Sequence, residues 1–219
     1  LTKNAAYGLI CVLVVLTLFM RLRLAVWVSV GIFVSFMGTL WLMPTLDVSI
    51  NMMTLFAFLI VLGIVVDDAI VVSENIYTHV QAGDNSLVAA IRGAKEVAVP
   101  VCFSIMTTVA AFGPMAMVEG NTGKILKGIP LIVVPTLLIS LLESMWGLPN
   151  HLSHMKRVDE NAKTRNPLTL IQNIVSRFLN WFIADVYKPF LEMCLSWRYT
   201  TVAVGISSVV LMVGLIYSG

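Results

Sequence analysis

The chain has 219 residues, of which 58% are hydrophobic and 12% charged, and its mean hydropathy is +0.92. That balance excludes a water-soluble domain and assigns the chain to the integral membrane proteins. A formal net charge of +2 is too small to suggest a nucleic-acid partner, and Cys11, Cys102 and Cys194 are too scattered for a disulfide framework or a metal site, so they do not reveal the redox compartment.

A membrane-crossing helix needs about 20 mostly apolar residues to cover a hydrocarbon core of about 30 Å. Six stretches meet that requirement, near residues 4–20, 24–43, 52–73, 98–118, 127–148 and 199–217. In the first, the run Ala5 to Met20 is followed by Arg21 and Arg23 and not by a small-residue cleavage site, so it is not a signal peptide. The link Arg21-Leu22-Arg23 is short enough to predict a tight antiparallel hairpin with the second stretch.

The third stretch carries two adjacent acids, Asp67 and Asp68, inside an apolar run. Asp67 falls about 20 Å along the helix from Met53, near or somewhat past mid-bilayer. An ionised carboxylate there costs at least ~2.5 kcal/mol, which demands partners or a function. Neighbours on a helix point about 100° apart, so the two acids face two helices or one shared cavity. Burial and mutual repulsion both oppose ionising the pair together, which suits reversible proton binding. Two other readings stay open: sodium binding, for which carbonyl ligands from unwound helix are expected, and a fixed ion pair with a Lys or Arg. No stretch carries a central Lys or Arg, so that cation must come from elsewhere. Left without it, at least one aspartate is expected to be protonated at neutral pH. Glu74 and Asn75, seven residues on from Asp67 and Asp68, either extend a wet path or simply form a polar helix end.

The fourth stretch presents Ser104, Thr107, Thr108, Ala110, Ala111 and Gly113, a small, weakly polar face suited to close packing. An alternative gives Thr107 or Thr108 a hydrogen bond to an acid of the neighbouring helix. Pro114 is expected to kink this span, and Pro130 and Pro135 the next. Glu143 lies inside the fifth stretch, about one turn from its end. Both a functional carboxylate and a snorkelling or hydrogen-bonded structural one fit it.

A polar linker, His151 to Pro167, leads to residues 168–192, where Ile171, Ile174, Val175, Phe178, Phe182 and Val186 recur at helical spacing between Gln172, Asn173, Arg177, Asn180 and Asp185. This predicts an amphipathic helix ending or kinking near Pro189, either lying on the membrane surface with Trp181 and Trp197 at headgroup level or packed under the bundle. The fold class is therefore all-α integral membrane: six transmembrane helices plus one amphipathic cytoplasmic surface helix. The 12 methionines read as lipid-facing or core filler, with a relay for soft metal ions as the minor alternative. His79, His151 and His154 are expected in loops, with surface roles and no metal-ligand geometry.

Orientation follows from the positive-inside rule. With the Arg21/Arg23 turn in the cytoplasm, that side also holds Arg92, Lys95, Lys156, Arg157, Lys163, Arg165, Arg177, Lys188 and Arg198, against Lys3, Lys124 and Lys127 outside. Both chain ends then lie on the outer face, and both look cut from a longer polypeptide.

The run Gly63-Ile-Val-Val-Asp-Asp-Ala-Ile-Val-Val-Ser-Glu-Asn75 resembles the fourth transmembrane helix of the resistance-nodulation-division (RND) superfamily, specifically its hydrophobe/amphiphile efflux transporters. Asn51-Met-Met-Thr54 resembles the start of that helix, and Ala89 to Pro100 the cytoplasmic lead-in to the fifth. Leu148-Pro-Asn-His-Leu152 is similar to a Leu-Pro-Ala-His-Leu ending of the sixth helix, with Asn150 in place of Ala. The resemblance covers the whole chain and implies family helices two to seven with the surface helix between six and seven.

It further implies a multi-pass protein of the bacterial inner membrane that runs proton/substrate antiport on the proton motive force, with no other cofactor and no enzymatic reaction. Asp67 and Asp68 would be the proton relay, and Glu74, Asn75, Glu143, Thr107 and Thr108 secondary candidates. The implied partners are the second half of the same transporter, which supplies a cationic relay residue, a homotrimeric assembly, a periplasmic adaptor and an outer-membrane channel. The periplasmic porter and docking domains are expected outside this chain. Against the transporter reading stands another: an excised piece that is only a structural or assembly module, inactive without the second half.

Overall fold

A computed structural model describes residues 2–155 and 167–218 as helices joined by short turns, with no strand among them. The chain divides into two compact units, Leu1–Lys163 and Thr164–Gly219. Lys156, Arg157, Lys163 and Arg165, on which part of the charge argument rests, and most of the expected polar linker lie outside the described residues.

In the first unit, α1 (Thr2–Phe19) and α2 (Leu22–Leu42) form the expected hairpin. Its turn is minimal: two residues, Met20 and Arg21, separate the helices, and Arg21 is extended with φ −66° and ψ 138°. A 3₁₀ turn, Met43–Leu46, extends α2. The next helix, α3 (Met52–Ala82), opens with a capping box: Asn51 Oδ1 accepts from the backbone N–H of Met53 and Thr54, and Thr54 Oγ1 accepts from the N–H of Asn51. It closes at Gly83, whose φ of 106° suits a residue without a Cβ. Then follow α4 (Ser86–Ala116), the short α5 (Gly120–Leu126), α6 (Gly128–Leu142) and α7 (Leu148–Leu152).

The second unit contains α8 (Pro167–Trp181), α9 (Lys188–Ser196) and α10 (Arg198–Ser218). The amphipathic helix expected at 168–192 thus continues to Ser196, and the chain leaves the helical region at Trp197 before α10 begins.

Among the described residues, five helical stretches are long and apolar enough to cross a bilayer: Leu22–Leu46, Met52–Ala82, Ser86–Ala116, Gly123–Leu152 and Arg198–Tyr217. The first expected span corresponds to α1, whose 18 residues rise ~27 Å, close to the ~30 Å hydrocarbon thickness. The α3–α4 hairpin is longer than the apolar runs suggested. Each of its helices has 31 residues, or ~46 Å, so more than a turn of each projects beyond the hydrocarbon.

Two π-helical turns, Glu143–Gly147 and Phe182–Tyr187, join α6 to α7 and α8 to α9. Each is followed, one residue on, by a proline, Pro149 or Pro189. A proline inside a helix has no N–H to donate and its ring crowds the carbonyl four residues back. Widening the preceding turn relieves the crowding, so Leu148 N–H reaches Glu143 O and Lys188 N–H reaches Ile183 O, five residues back in each case. Pro135 and Pro114 sit inside α6 and α4 as expected, with Pro100 a further interior proline of α4, whereas Pro130 stands in the first turn of α6, where no intrahelical bond is lost.

Helices α3 and α6 occupy the centre of the first unit, packed against each other and each against α2 and α4. Val61, Val65, Val72, Ile76, Ile132, Val133 and Leu137 are fully or almost fully buried there. The α2–α6 contact is polar and close. The Thr39 hydroxyl lies 2.9 Å from both the Ser35 carbonyl and the Thr136 hydroxyl, Ser35 Oγ donates to Gly31 O at 2.8 Å, and Thr136 Oγ1 donates to Ile132 O at 2.6 Å. Hydroxyls that turn back on their own helices leave small surfaces and let the backbones approach.

Candidate functional site

Helix α3 places Asp67 about 22 Å from its first residue, close to its midpoint. The two acids diverge as their 100° offset requires: Asp68 is 7% exposed and counts among the buried residues of α3, while Asp67 is exposed. They share one groove of about 350 Å³, lined by Gly63, Ile64, Val66, Asp67, Asp68, Ile70 and Ser104. Asp68 Oδ2 is buried and has no hydrogen-bond partner among the described residues. No Lys or Arg among them forms an ion pair with either aspartate. The pair is a buried acceptor and an accessible one side by side on a largely apolar wall.

Ser104 of α4 borders the same groove, a neighbour that sequence reasoning treated only as part of a packing face. Of the two threonines on the same helix, Thr107 Oγ1 donates to Phe103 O at 2.8 Å and Thr108 Oγ1 to Ser104 O at 3.0 Å. These hydroxyls satisfy themselves on their own helix and not on an aspartate, as helical Ser and Thr readily do.

Glu74 and Asn75 lie two turns further along α3 and belong to a different arrangement. Glu74 feels the positive charge of Arg21, whose guanidinium sits over the Tyr77 ring, 5.1 Å from its centroid. Asn75 Nδ2 donates to Gly93 O at 2.8 Å and to Glu96 Oε2 at 3.2 Å. Glu96 Oε2 also stands 2.9 Å from His79 Nε2, His79 Nδ1 lies 3.2 Å from Asp84 Oδ2, and Arg92 donates to Asp84 at 3.0 Å. This clasp ties α3 to α4. Both His79 nitrogens face carboxylates and both can donate only in the imidazolium form. Hydropathy does not reveal the clasp, although the four-residue steps 75/79 and 92/96 place its members on common faces.

His79 and His151 are helical residues, not loop residues as expected. His151 of α7 stacks on Trp27 of α2, ring centroids 4.0 Å apart and planes 8° from parallel, while Arg23 donates to the His154 carbonyl at 3.2 Å. Glu143 is also placed differently from its expected position near a span end. The helix continues through the π turn to Leu152, and the carboxylate lies against Gly31, near the midpoint of α2. Among the described residues no group of three or more His, Cys, Asp and Glu is arranged to hold a metal ion.

The fold and this acid pair define a multi-pass, all-helical membrane protein with ionisable groups held in the middle of a span. Residues 1–218 match the AcrB/AcrD/AcrF family, and the chain belongs to it, in agreement with the resemblance to RND efflux transporters. An uncharacterised transporter of Haemophilus influenzae is 36% identical over 162 residues, 74% of this chain and 16% of that protein. The multidrug resistance protein MdtC of Yersinia enterocolitica is 35% identical over 188 residues, 83% of this chain and 18% of MdtC. The swarming motility protein SwrC of Bacillus subtilis is 32% identical over 219 residues, 98% of this chain and 20% of SwrC. The chain therefore spans between about a sixth and a fifth of the length of these relatives.

Proposed function

We propose that this chain is part of the membrane domain of a proton-driven exporter and that Asp67 and Asp68 bind and release the protons that drive it. The observation that carries the reading is Asp68 Oδ2, a buried carboxylate oxygen without a partner at mid-span, in a groove shared with Asp67. An acid there is kept at a cost of at least ~2.5 kcal/mol when ionised, and binding a proton removes that cost. The compensating cation belongs to the second half of the transporter, which would close the groove from the side of Asp67. The arginine-bearing face is cytoplasmic, the membrane is the bacterial inner membrane, and both chain ends point to the periplasm. The full-length protein works as a homotrimer with a periplasmic adaptor and an outer-membrane channel.

The test is to replace Asp67 or Asp68 by Asn in the full-length protein. Each variant should reach the membrane at the parent's level and retain the parent's thermal stability to within about 1 kcal/mol, because Asn keeps the shape and removes the charge. Export should fall to background. Export at the parent's rate by either variant would sink the relay.

A second reading concerns the chain by itself. With no cationic partner for the acids among the described residues, the isolated chain acts as an assembly module and moves no protons. Liposomes carrying only these 219 residues should hold an imposed pH gradient as well as empty ones. A leak that scales with the amount of chain would contradict this second reading.

A further inference from the structure

A second carboxylate, half-buried, lies against α2, away from the groove. Glu143 stands on the π turn between α6 and α7, and its side chain fills the space beside Gly31 of α2: a Cβ on Gly31 would lie 2.7 Å from Glu143 Cδ and closer still to Oε2. Gly147, one turn on in the same π segment, is also close: a Cβ there would lie 3.0 Å from Oε1. The carboxylate therefore rests against two glycines, in a cradle that a larger residue at either position would fill. The neighbouring hydroxyl, Ser144 Oγ, is 2% exposed by residue and has no partner among the described residues.

The elements around the π turn are α2, α3, α6 and α7. Helix α6 has no ionisable residue, α2 has Arg23, α3 has Asp67, Asp68, Glu74 and His79, and α7 has His151. None forms an ion pair with Glu143. The groups nearest it in register are graded toward the arginine-bearing face: at four-residue steps along α2, Gly31 meets Glu143, Trp27 meets His151, and Arg23 meets His154. The Trp27–His151 stack is thus one helical turn, about 6 Å, closer to that face than the carboxylate.

We propose that Glu143 is a second intramembrane proton-binding site, separate from Asp67 and Asp68, that exchanges protons with the arginine-bearing face along the α2–α7 seam past His151. Uptake converts the carboxylate to the neutral acid and release returns it, with the proton coming from and going to the water on that face. Intramembrane acids are rare and mark proton paths, and π turns recur at functional sites. The glycine cradle adds a reason for placement here, since it holds the acid against backbone without giving it a counter-charge.

Infrared titration of the full-length transporter in liposomes reads protonated carboxyl groups directly. E143Q should remove one titrating carboxyl band that D67N and D68N leave in place, and H151A should slow the response of that band to a pH jump on the arginine-bearing face several-fold. If E143Q does not accumulate, E143D must keep the band with a displaced midpoint, and G31A must displace it in the otherwise unchanged chain. A full set of bands in E143Q, or an undisplaced titration in both E143D and G31A, overturns the proposal, and an H151A response as fast as the parent's overturns the route. The aspartate bands, assigned in the same spectra by D67N and D68N, report separately on the Asp67/Asp68 relay.

Discussion

Gly93 of α4 crosses Ile76 of α3 so closely that a Cβ on the glycine would stand 2.7 Å from Ile76 Cα and 2.8 Å from its backbone nitrogen. Backbone cannot swing aside as a flexible side chain can, so the crossing tolerates only glycine. The same crossing lets Asn75 reach the Gly93 carbonyl. Helices α3 and α4 also border the aspartate groove.

Gly93→Ala should therefore push α3 and α4 apart. Overpacking of this kind costs about 1–3 kcal/mol, and the variant should unfold at lower denaturant concentration than the parent while inserting normally. Gly63→Ala on the groove wall of α3, where nothing lies within 4 Å of the added Cβ, should not lower stability, since Ala favours a helix interior over Gly. Equal stability of the two variants would contradict the crossing geometry.

The clasp at the end of the same hairpin predicts coupling between Asn75 and Glu96. Asn75→Ala and Glu96→Ala should each destabilise by about 1–2 kcal/mol, and the double variant by less than their sum, because one side chain donates to the other at 3.2 Å. A double-mutant cycle on denaturant unfolding measures this. Additive effects would place the two groups in separate interactions.

The π turns predict a register effect at Pro149. Restoring an N–H with Pro149→Ala allows the segment from Glu143 to revert to a regular α-helix, which turns the residues before and after it by up to about 100° relative to one another. Glu143 and His151 then no longer both meet α2. In a variant retaining Trp27 as its sole tryptophan, P149A should raise fluorescence by releasing the indole from the His151 ring, as His151→Ala should in the same background. Unchanged emission in P149A with a rise in H151A would mean that the wide turn persists without proline.

Much of this arrangement is legible in residues taken alone. The apolar runs mark the spans because the bilayer offers the backbone no other partner, and Asp67-Asp68 stands out because a charge there is costly. Hydropathy does not mark the helix ends. The extensions of α3 to Ala82 and of α4 back to Ser86 are polar enough to read as loop, and they are helical because Asn75, His79, Glu96 and Gly93 hold them together.

The sequence by itself determined the class of protein, the α1–α2 hairpin and the presence of paired acids in mid-span, since those follow from hydropathy, spacing and the cost of burying charge. Only the tertiary structure decided that Asp68 is buried while Asp67 is open, that Thr107 and Thr108 turn to their own backbone, and that Glu143 lies opposite Gly31 at the midpoint of α2. Those outcomes depend on which helix packs on which face and on a turn widened before Pro149, and neither is written in the residues that carry the charge.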